Sequence, residues 1–365
     1  MKSFFRFTIT VICLLALVGS LATAQDLQQQ LSTLGSKAAQ GYITPILAGW
    51  GNDLNSAMYY SADLHDILGF DVGVKVAMSK LTDDDKTYKM DLPDRVKLST
   101  IPGLPSGVIP TGGYVILTKG VNYSSNQITA NTAVGPKDGV PIKTTGGTAT
   151  VYNASGTVVG TTPAGIIPIG QTILTIPGGF DISSLGVPLP MPQFDLGLPF
   201  GIEVMLRYVP TISGGDVGKF NYMGFGLRYS ISQWLPLFPV DIAAHFMTQK
   251  MNFKSKDDKD IFSAKATAYG LEVSKKLFIL TLYGGFQLES SSLTLADYQY
   301  KGNDPALINS TTGQGVIIPG FEVKGTDKSR FTVGARLLLL IVNVHVEYSV
   351  AKNPVIAAGV GITLR

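Results

Sequence analysis

The chain has 365 residues, a formal net charge of +3 and only 15% charged residues, whereas a soluble domain usually carries about 25%. The near-neutral charge gives no support for a nucleic-acid partner, and a single cysteine, Cys13, excludes a disulfide-stapled scaffold. Beyond the N-terminus no segment offers ~18 uninterrupted apolar residues, which excludes a transmembrane helix. Two architectures remain, a transmembrane β-barrel and a secreted all-β sandwich, because both place apolar side chains on alternate residues.

Residues 1–24 have the pattern of an export signal. Lys2 and Arg6 precede an apolar run from Phe7 to Leu21, and Ala22-Thr23-Ala24 supplies the small residues of a cleavage site. We therefore expect an exported protein whose mature chain lacks cysteine and carries a net charge near +1.

Residues 25–66 are predicted to form a short helical, plug-like segment. Leu27, Leu31, Leu34 and Ala38 recur at helical spacing, and we expect the helix to end at Gly41, ahead of Pro45. The residues that follow are too apolar for a free tail, so we expect them to pack against or inside a larger unit, with a flexible tail as the alternative. The candidate plug residues are Leu27, Leu31, Leu34, Trp50 and Tyr59.

From Phe70 to Ser79 apolar and polar residues alternate, which predicts a half-buried strand, and residues 87–98 are expected to return as a second strand. Residues 99–199 are interrupted by Gly, Pro and Thr, which predicts an irregular region. Short strands are expected there at 113–119, 148–153, 157–160 and 171–176. The proline-rich run 187–192 is expected to be extended and loop-like.

The C-terminal half has the strongest pattern. One face of each predicted strand is continuously apolar, as in Phe225, Leu227 and Tyr229, and the other face carries the charges. The predicted strands are 200–210, 220–231, 240–250, 264–274, 278–290, 331–340, 342–350 and 355–364. The candidate lumen-lining residues are Asp71, Lys75, Glu203, Arg207, Arg228, Asp241, His245, Glu272, Glu289, Arg336, His345 and Glu347.

Three features favour a barrel over a sandwich. The strands are ~10 residues long, as a tilted membrane span requires, tyrosines lie near strand ends, and short connections alternate with long ones. We therefore predict an all-β, transmembrane antiparallel β-barrel of about 12 strands, within a range of 10–14. The barrel would occupy residues 67–365, include the irregular region 99–199, and leave both termini in the periplasm.

A family resemblance is carried by Gly224-Phe225-Gly226-Leu227-Arg228-Tyr229-Ser230-Ile231-Ser232-Gln233-Trp234-Leu235-Pro236, by Tyr42-Ile43-Thr44-Pro45-Ile46-Leu47 with Leu68-Gly69-Phe70-Asp71, and by the ending Ala357-Ala358-Gly359-Val360-Gly361-Ile362-Thr363-Leu364-Arg365. These stretches resemble an uncharacterised family of Gram-negative outer-membrane barrel proteins, a domain of unknown function. In layout alone the chain is similar to outer-membrane transporters of hydrophobic compounds. The resemblance implies a barrel in the outer membrane and brings no activity, ligand or catalytic residue with it.

The functional hypothesis is passive transport or binding of a small or hydrophobic solute, with outer-membrane lipid as a further partner. The alternatives are a structural or adhesive outer-membrane barrel without transport and a secreted β-sandwich binding module. Scattered histidines such as His245 and His345 make a poor metal set, and no Gly-x-Ser-x-Gly motif is present. We therefore predict no enzymatic activity, no catalytic residue, no cofactor and no metal.

Overall fold

The structure is a computed structural model that describes residues 36–182, 186, 188–213, 218–235, 237–255, 258–299, 317–325 and 327–364. The predicted signal, and Leu27, Leu31 and Leu34 of the candidate plug, lie outside the described residues.

The described elements are one α-helix, short 3-10 turns and a series of β-strands. Helix α1 spans Ser36–Leu54. The strands are β1 (Phe70–Ser79), β2 (Thr87–Met90), β3 (Arg95–Leu98), β4 (Tyr114–Thr118), β5 (Ile128–Asn131), β6 (Val140–Lys143), β7 (Thr150–Tyr152), β8 (Val158–Thr161), β9 (Thr172–Ile176), β10 (Leu189–Leu198), β11 (Ile202–Ser213), β12 (Lys219–Ser230), β13 (Asp241–Lys254), β14 (Asp260–Leu277), β15 (Leu280–Leu295), β16 (Tyr298–Gln299), β17 (Ile317–Ile318), β18 (Phe321–Lys324), β19 (Ser329–Leu339), β20 (Val342–Val350) and β21 (Val355–Leu364).

Ten strands close into an antiparallel barrel, in the order β1, β10, β11, β12, β13, β14, β15, β19, β20 and β21. Phe70 of β1 pairs with Leu196 of β10 on one side and with Leu364 of β21 on the other, which closes the ring. Strand β18 pairs with the long-loop end of β15, on the same edge of β15 that β19 occupies lower down. The predicted all-β barrel is confirmed, and the sandwich alternative is wrong because the sheet closes on itself. The described strands number ten in the ring, fewer than the favoured 12 and within the predicted range.

Two strand assignments were wrong. Residues 87–98 do not enter the barrel, and the proline-rich run thought to be a loop forms the start of β10. Pro190 and Pro192 pair with β1, and β11 joins β10 only from Gln193 onward. The prolines are therefore tolerated because they lie on a part of β10 that has only one recorded neighbour, where a missing N–H leaves a ladder intact.

The two faces of the barrel strands differ as the sequence pattern predicts. Side chains such as Phe225 and Leu227 are exposed on the outer face, whereas Glu203 and Glu272 are fully buried on the inner face. This arrangement, apolar outside and charged inside, is the reverse of a water-soluble domain and suits a bilayer. Within the described residues, no helix is long and apolar enough to cross a membrane.

The two ends of the barrel have different connections. At the short-turn end, strands are joined by residues 199–201, 231–240, 278–279 and 340–341. At the long-loop end, they are joined by residues 80–188, 214–218, 255–259, 296–328 and 351–354. Strand β1 begins and β21 ends at the short-turn end, so the irregular region leaves the barrel at the long-loop end. The expectation that residues 99–199 connect two periplasmic strand ends is wrong.

Residues 80–188, the insertion, fold into three small sheets. The sheets are β2-β5, β3-β4-β7-β8 and β6-β9, and β4, β7, β8 and β9 match the predicted short strands closely. Buried side chains including Val115, Leu117 and Ile142 form one core with the first half of α1. The insertion is therefore a folded unit seated on α1.

The prediction of a helix over residues 25–41 is wrong about its end, while residues 25–35 lie outside the described residues. Helix α1 continues through Gly41 and Pro45 to Leu54. Gly41 is needed here because a Cβ atom would lie 2.3 Å from Cδ2 of Tyr88, so the glycine reflects close packing against the insertion and not a helix end.

Candidate functional site in the barrel lumen

The chain between α1 and β1 passes through the barrel. We call residues 50–66 the lumen segment; residues 51–62 are all buried. At the long-loop end, Gly51 lies against the Ser291 side chain. At the short-turn end, the His65 side chain contacts Glu203, and Leu68 N–H donates to the Gly197 carbonyl at 3.0 Å. The segment therefore crosses the lumen from the long-loop end to the short-turn end.

This path places Ser36, the first described residue, at the long-loop end. Tyr42 donates to the Gly178 carbonyl of the insertion at 2.8 Å, and Tyr88 of the insertion donates to the Ala38 carbonyl at 3.0 Å. The predicted mature N-terminus lies outside the described residues, so the prediction that both termini share one end of the barrel stays a prediction.

Arg207 holds the start of the lumen segment. Its buried guanidinium donates to the carbonyls of Leu54, Ser56 and Ala57 at 2.9, 2.8 and 2.8 Å. Leu54 is the last residue of α1, where backbone carbonyls lack helical partners. Arg207 and Gln249 both donate to the Leu54 carbonyl, and Arg207 places a positive charge at the negative end of the helix.

A second arginine acts beside it. Arg330 donates to the Asn52 carbonyl at 3.0 Å and to the Ser56 hydroxyl, and it pairs with Glu289 at 2.9 Å. The Glu289 carboxylate neutralises the buried charge of Arg330, and the remaining guanidinium N–H groups form hydrogen bonds to the lumen segment.

The short-turn half of the lumen contains a carboxylate–arginine–carboxylate triad. Arg228 lies between Glu203, at 2.5 Å, and Glu272, and it also donates to the Ser61 carbonyl. His65 Nδ1 is 2.7 Å from Glu203, and the His65 backbone N–H donates to the same oxygen at 3.0 Å. Because removing one member of a buried ion pair costs about 3–5 kcal/mol, this triad fixes the segment in place.

Two tyrosines fill the middle of the lumen. The Tyr59 ring lies 5.1 Å from the His245 ring and 5.9 Å from the Tyr283 ring. The Tyr60 ring lies 5.2 Å from the His345 ring, with the Arg336 guanidinium 4.4 Å from its centroid. Aromatic faces meet imidazole and guanidinium groups here, an arrangement that stabilises cations in a water-poor space.

Backbone carbonyls of the same stretch are bound by the wall. Lys75 Nζ donates to the Met58 carbonyl at 3.0 Å, and Gln193 donates to the same oxygen at 2.9 Å. Glu347 accepts the Ala57 N–H at 2.8 Å. The wall thus satisfies a chain segment that has no secondary structure of its own.

The predicted lumen-lining residues are now placed. Asp241 is half-buried at the short-turn mouth. Asp71 is buried on the inner face of β1, where it accepts from Asn343. The others converge on the lumen segment, directly or through a partner: Lys75, Glu203, Arg207, Arg228, His245, Glu272, Glu289, Arg336, His345 and Glu347. Of the candidate plug residues, Tyr59 lies in the lumen and Trp50 is partly buried against Phe262 at the long-loop end.

Sequence reasoning missed several wall residues. Arg330 lies one residue before the predicted strand 331–340, and extending the alternation of Thr332 and Arg336 would have included it. Gln193 and Asp195 belong to β10, which the prolines concealed. His65 belongs to the lumen segment and carries no pattern that distinguishes it.

One carboxyl group of α1 is buried at the long-loop mouth, outside the strands. Asp53 is 1% exposed and accepts from Ser79 Oγ at 2.7 Å. Burial raises the pKa of Asp53 from its ordinary value to about 7, which the Ser79 hydrogen bond and the Arg330 charge only partly offset. Its charge therefore changes near neutral pH. Within the described residues, no group of three or more His, Cys, Asp or Glu side chains is arranged to hold a metal ion.

A single family model covers nearly the whole chain. A family of unknown function, DUF6588, matches residues 1–364, and the chain belongs to this family. The fold is a closed antiparallel β-barrel with an apolar outer face and a charged inner face. No curated protein matches the chain.

Solved structures give distant similarities. The β-domain of the Bordetella autotransporter BrkA is 9% identical, with 81% of this chain and 100% of that chain covered and a TM-score of 0.27. A loop L8 deletion mutant of OmpT, an outer-membrane protein of Vibrio cholerae, is 9% identical over 81% and 100%, with a TM-score of 0.23. A BenF-like porin from Pseudomonas fluorescens Pf-5 is 9% identical over 82% and 99%, with a TM-score of 0.20.

Proposed function

We propose that this protein is an outer-membrane anchor that presents a folded β-rich domain, the insertion, at the cell surface, and that its own N-terminal segment seals its lumen. The observation that carries the proposal is the lumen segment, which is buried throughout 51–62 and bound by the wall at every level. A barrel whose lumen is filled in this way serves as a membrane support for the insertion.

Orientation follows from the two longest connections, residues 80–188 and 296–328, which lie at the same end of the barrel. Outer-membrane barrels keep short turns on the periplasmic side and long loops outside. By this rule the insertion, together with the start of α1, faces the exterior. The structural or adhesive alternative considered from the sequence is therefore the one that we favour, with the insertion as the contact surface.

Site-specific labelling tests this orientation. Cys13 is the only native cysteine, so a Cys13→Ala background allows single-cysteine variants. We expect Ser155→Cys, on an exposed turn of the insertion, to react with a membrane-impermeant maleimide on intact cells. Lys276→Cys, at the short-turn end, should react only after the cells are lysed. Labelling of Lys276→Cys alone on intact cells would contradict the proposal.

Passive transport of a small solute is the second candidate. It is favoured by the chemistry of the seal, because many of its contacts are side-chain hydrogen bonds to backbone carbonyls, which water replaces at a net cost of about 0.5–1.5 kcal/mol each. Displacement of the lumen segment would leave a polar wall suited to a polar solute. Transport predicts that a solute raises the conductance of the wild-type protein in planar bilayers; a sealed anchor stays closed with every solute.

A further inference from the structure

Three lysines form a row on the outer surface of the barrel near the long-loop end. Lys250 of β13 pairs directly with Lys265 of β14, Lys265 pairs with Ser292 of β15, and Ser292 pairs with Lys324 of β18. All three lysines are exposed. Since directly paired residues share a face and a height, we call Lys250, Lys265 and Lys324 the lysine row.

The row is electrostatically unfavourable on its own. Like charges directly opposite each other on neighbouring strands are destabilising. Higher on the barrel, Lys219 pairs with Asp258 at 2.6 Å and Lys254 with Asp260 at 3.5 Å.

The lysine row has no comparable partner in the part of the chain that the structure describes. The nearest carboxylate on this face is Glu322, two residues before Lys324 on β18, and it forms no recorded ion pair with the row. The positive charge is therefore left for an anion from outside the chain.

The row lies directly above the apolar surface. One level down, Thr248 pairs with Thr267, and at the next level Phe246 pairs with Tyr269. Lys265 and Tyr269 are four residues apart, about 13 Å along the strand and about 10 Å in height at a typical barrel tilt. The lysine row therefore stands about one headgroup layer above the aromatic level.

The other border of the apolar surface supports this height. Exposed apolar residues continue to the turns of the short-turn end, where Phe278 is 91% and Leu340 is 95% exposed. From Tyr269 to Phe278 the strand and turn cover about 30 Å of chain, or ~23 Å in height, close to the ~25 Å apolar band of a membrane barrel. The turn tips and the level of Tyr269 thus mark the two borders of the apolar band, and the lysine row lies about 10 Å beyond the second border, at the height of the headgroups.

We infer that the lysine row binds the phosphate groups of a phosphorylated glycolipid of the outer leaflet. The inference rests on the proposed orientation, which places the long-loop end outside. Lys250 and Lys265 are on adjacent strands, about 5 Å apart, and Lys324 is two strands beyond Lys265, about 10 Å away. This spacing suits a headgroup with more than one phosphate, while Ala244 and Leu271 lower on the same strands face the acyl chains.

Lipid retention tests the inference. Wild-type protein, a Lys250→Gln/Lys265→Gln variant and a control Lys89→Gln/Lys143→Gln variant, whose exposed lysines lie on the insertion, are extracted in detergent. They are then exchanged into micelles with defined amounts of purified phosphorylated glycolipid or phosphatidylglycerol. Native mass spectrometry counts the retained lipid, and heat-modifiable gel migration verifies that each barrel is folded.

We expect wild type and control to retain the glycolipid in preference to phosphatidylglycerol, and the double variant to retain about tenfold less. Equal retention by the folded double variant and the control would overturn the inference. Loss of the bound glycolipid from the wild-type protein on addition of millimolar inorganic phosphate would also overturn the inference, because it would indicate a site for the free anion.

The outcome separates this inference from the proposed function. Surface labelling of Ser155→Cys with equal glycolipid retention by all variants overturns only the lipid site. Preference of the wild type for phosphatidylglycerol would overturn the glycolipid assignment and, with labelling of Lys276→Cys on intact cells, the orientation as well.

Discussion

The two halves of residues 36–66 are held by opposite kinds of chemistry. The part of α1 that precedes the lumen segment buries Ala39, Tyr42 and Leu47 in an apolar core shared with the insertion. The lumen segment instead meets Arg207, Arg228 and their partners. Apolar contact stabilises in proportion to buried area and is weakly directional, whereas charge-assisted hydrogen bonds demand defined positions. The insertion is thus attached by packing, and the lumen is sealed by fixed polar contacts.

Removing the Arg207 side chain should have the largest effect on the closure of the barrel. It should act on the lumen segment and leave the insertion folded. Arg207→Ala leaves the carbonyls of Ser56 and Ala57 without this donor and the Leu54 carbonyl with Gln249 alone. We expect the loss to weaken the seal by about 2–6 kcal/mol, because each buried group left unsatisfied costs about 1–3 kcal/mol. The variant should show ion-conducting openings in planar bilayers. Arg95→Ala, on the exposed face of β3, is the control and should stay closed. A closed Arg207→Ala barrel would mean that the seal does not depend on these bonds.

The complementary change acts on the apolar half. Tyr42→Ala removes a fully buried ring and its hydrogen bond to Gly178, so we expect the insertion to be destabilised by about 3 kcal/mol. Limited proteolysis should cut residues 80–188 faster while bilayer recordings remain closed. If Tyr42→Ala also opened the barrel, the two halves would be one cooperative unit and the distinction would fail.

A change of pH should affect the junction between the halves. Because the folded-state pKa of Asp53 is about 7, above its unfolded value, the packed state is fully favoured below pH ~4 and loses stability as pH rises through 7. Between pH 5 and 8 the loss should be on the order of 2 kcal/mol. Openings should become more frequent at pH 8 than at pH 5, and Asp53→Asn should remove that difference. An unchanged pH response in Asp53→Asn would assign it to another group.

The smallest effect should come from the surface of the insertion. Lys97 Nζ lies 3.9 Å from the Tyr114 ring centroid, and Tyr114 stacks on Tyr152 at 4.8 Å. Lys97→Ala should lower the stability of the insertion by about 0.5–1 kcal/mol and leave the lumen closed. Lys97→Arg, which keeps a cation over the ring, should restore most of the loss in thermal unfolding.

The barrel could be predicted because lipid outside and polar groups inside impose a period of two on every strand. Strand β10 was missed because Pro190 and Pro192 are typical of a loop. The sequence does not reveal that β10 pairs only with β1 at these two positions, where a proline is tolerated. The end of α1 was misplaced because Gly41 and Pro45 resemble a helix stop. Gly41 is instead required by the close approach of the Tyr88 ring, which belongs to the insertion.

The site was partly predictable for a similar reason. Alternation places Glu203, Arg207 and Arg228 on an enclosed face, but it does not reveal what they bind. Many of their partners are backbone carbonyls of the lumen segment. Every residue has such a carbonyl, so the residue types in the sequence do not identify these partners. The path of residues 50–66 therefore emerges only from the three-dimensional arrangement.

The threading of the lumen segment can be tested directly by a disulfide. Ser61 Oγ in the segment lies 3.4 Å from Ser274 Oγ on the wall, within reach of a disulfide after substitution. In a Cys13→Ala background, Ser61→Cys/Ser274→Cys should oxidise in the cell envelope, so that fragments cleaved between the two positions stay joined until a reductant is added. Fragments that separate without reductant, in a barrel shown to be folded, would contradict a lumen sealed by its own N-terminal segment.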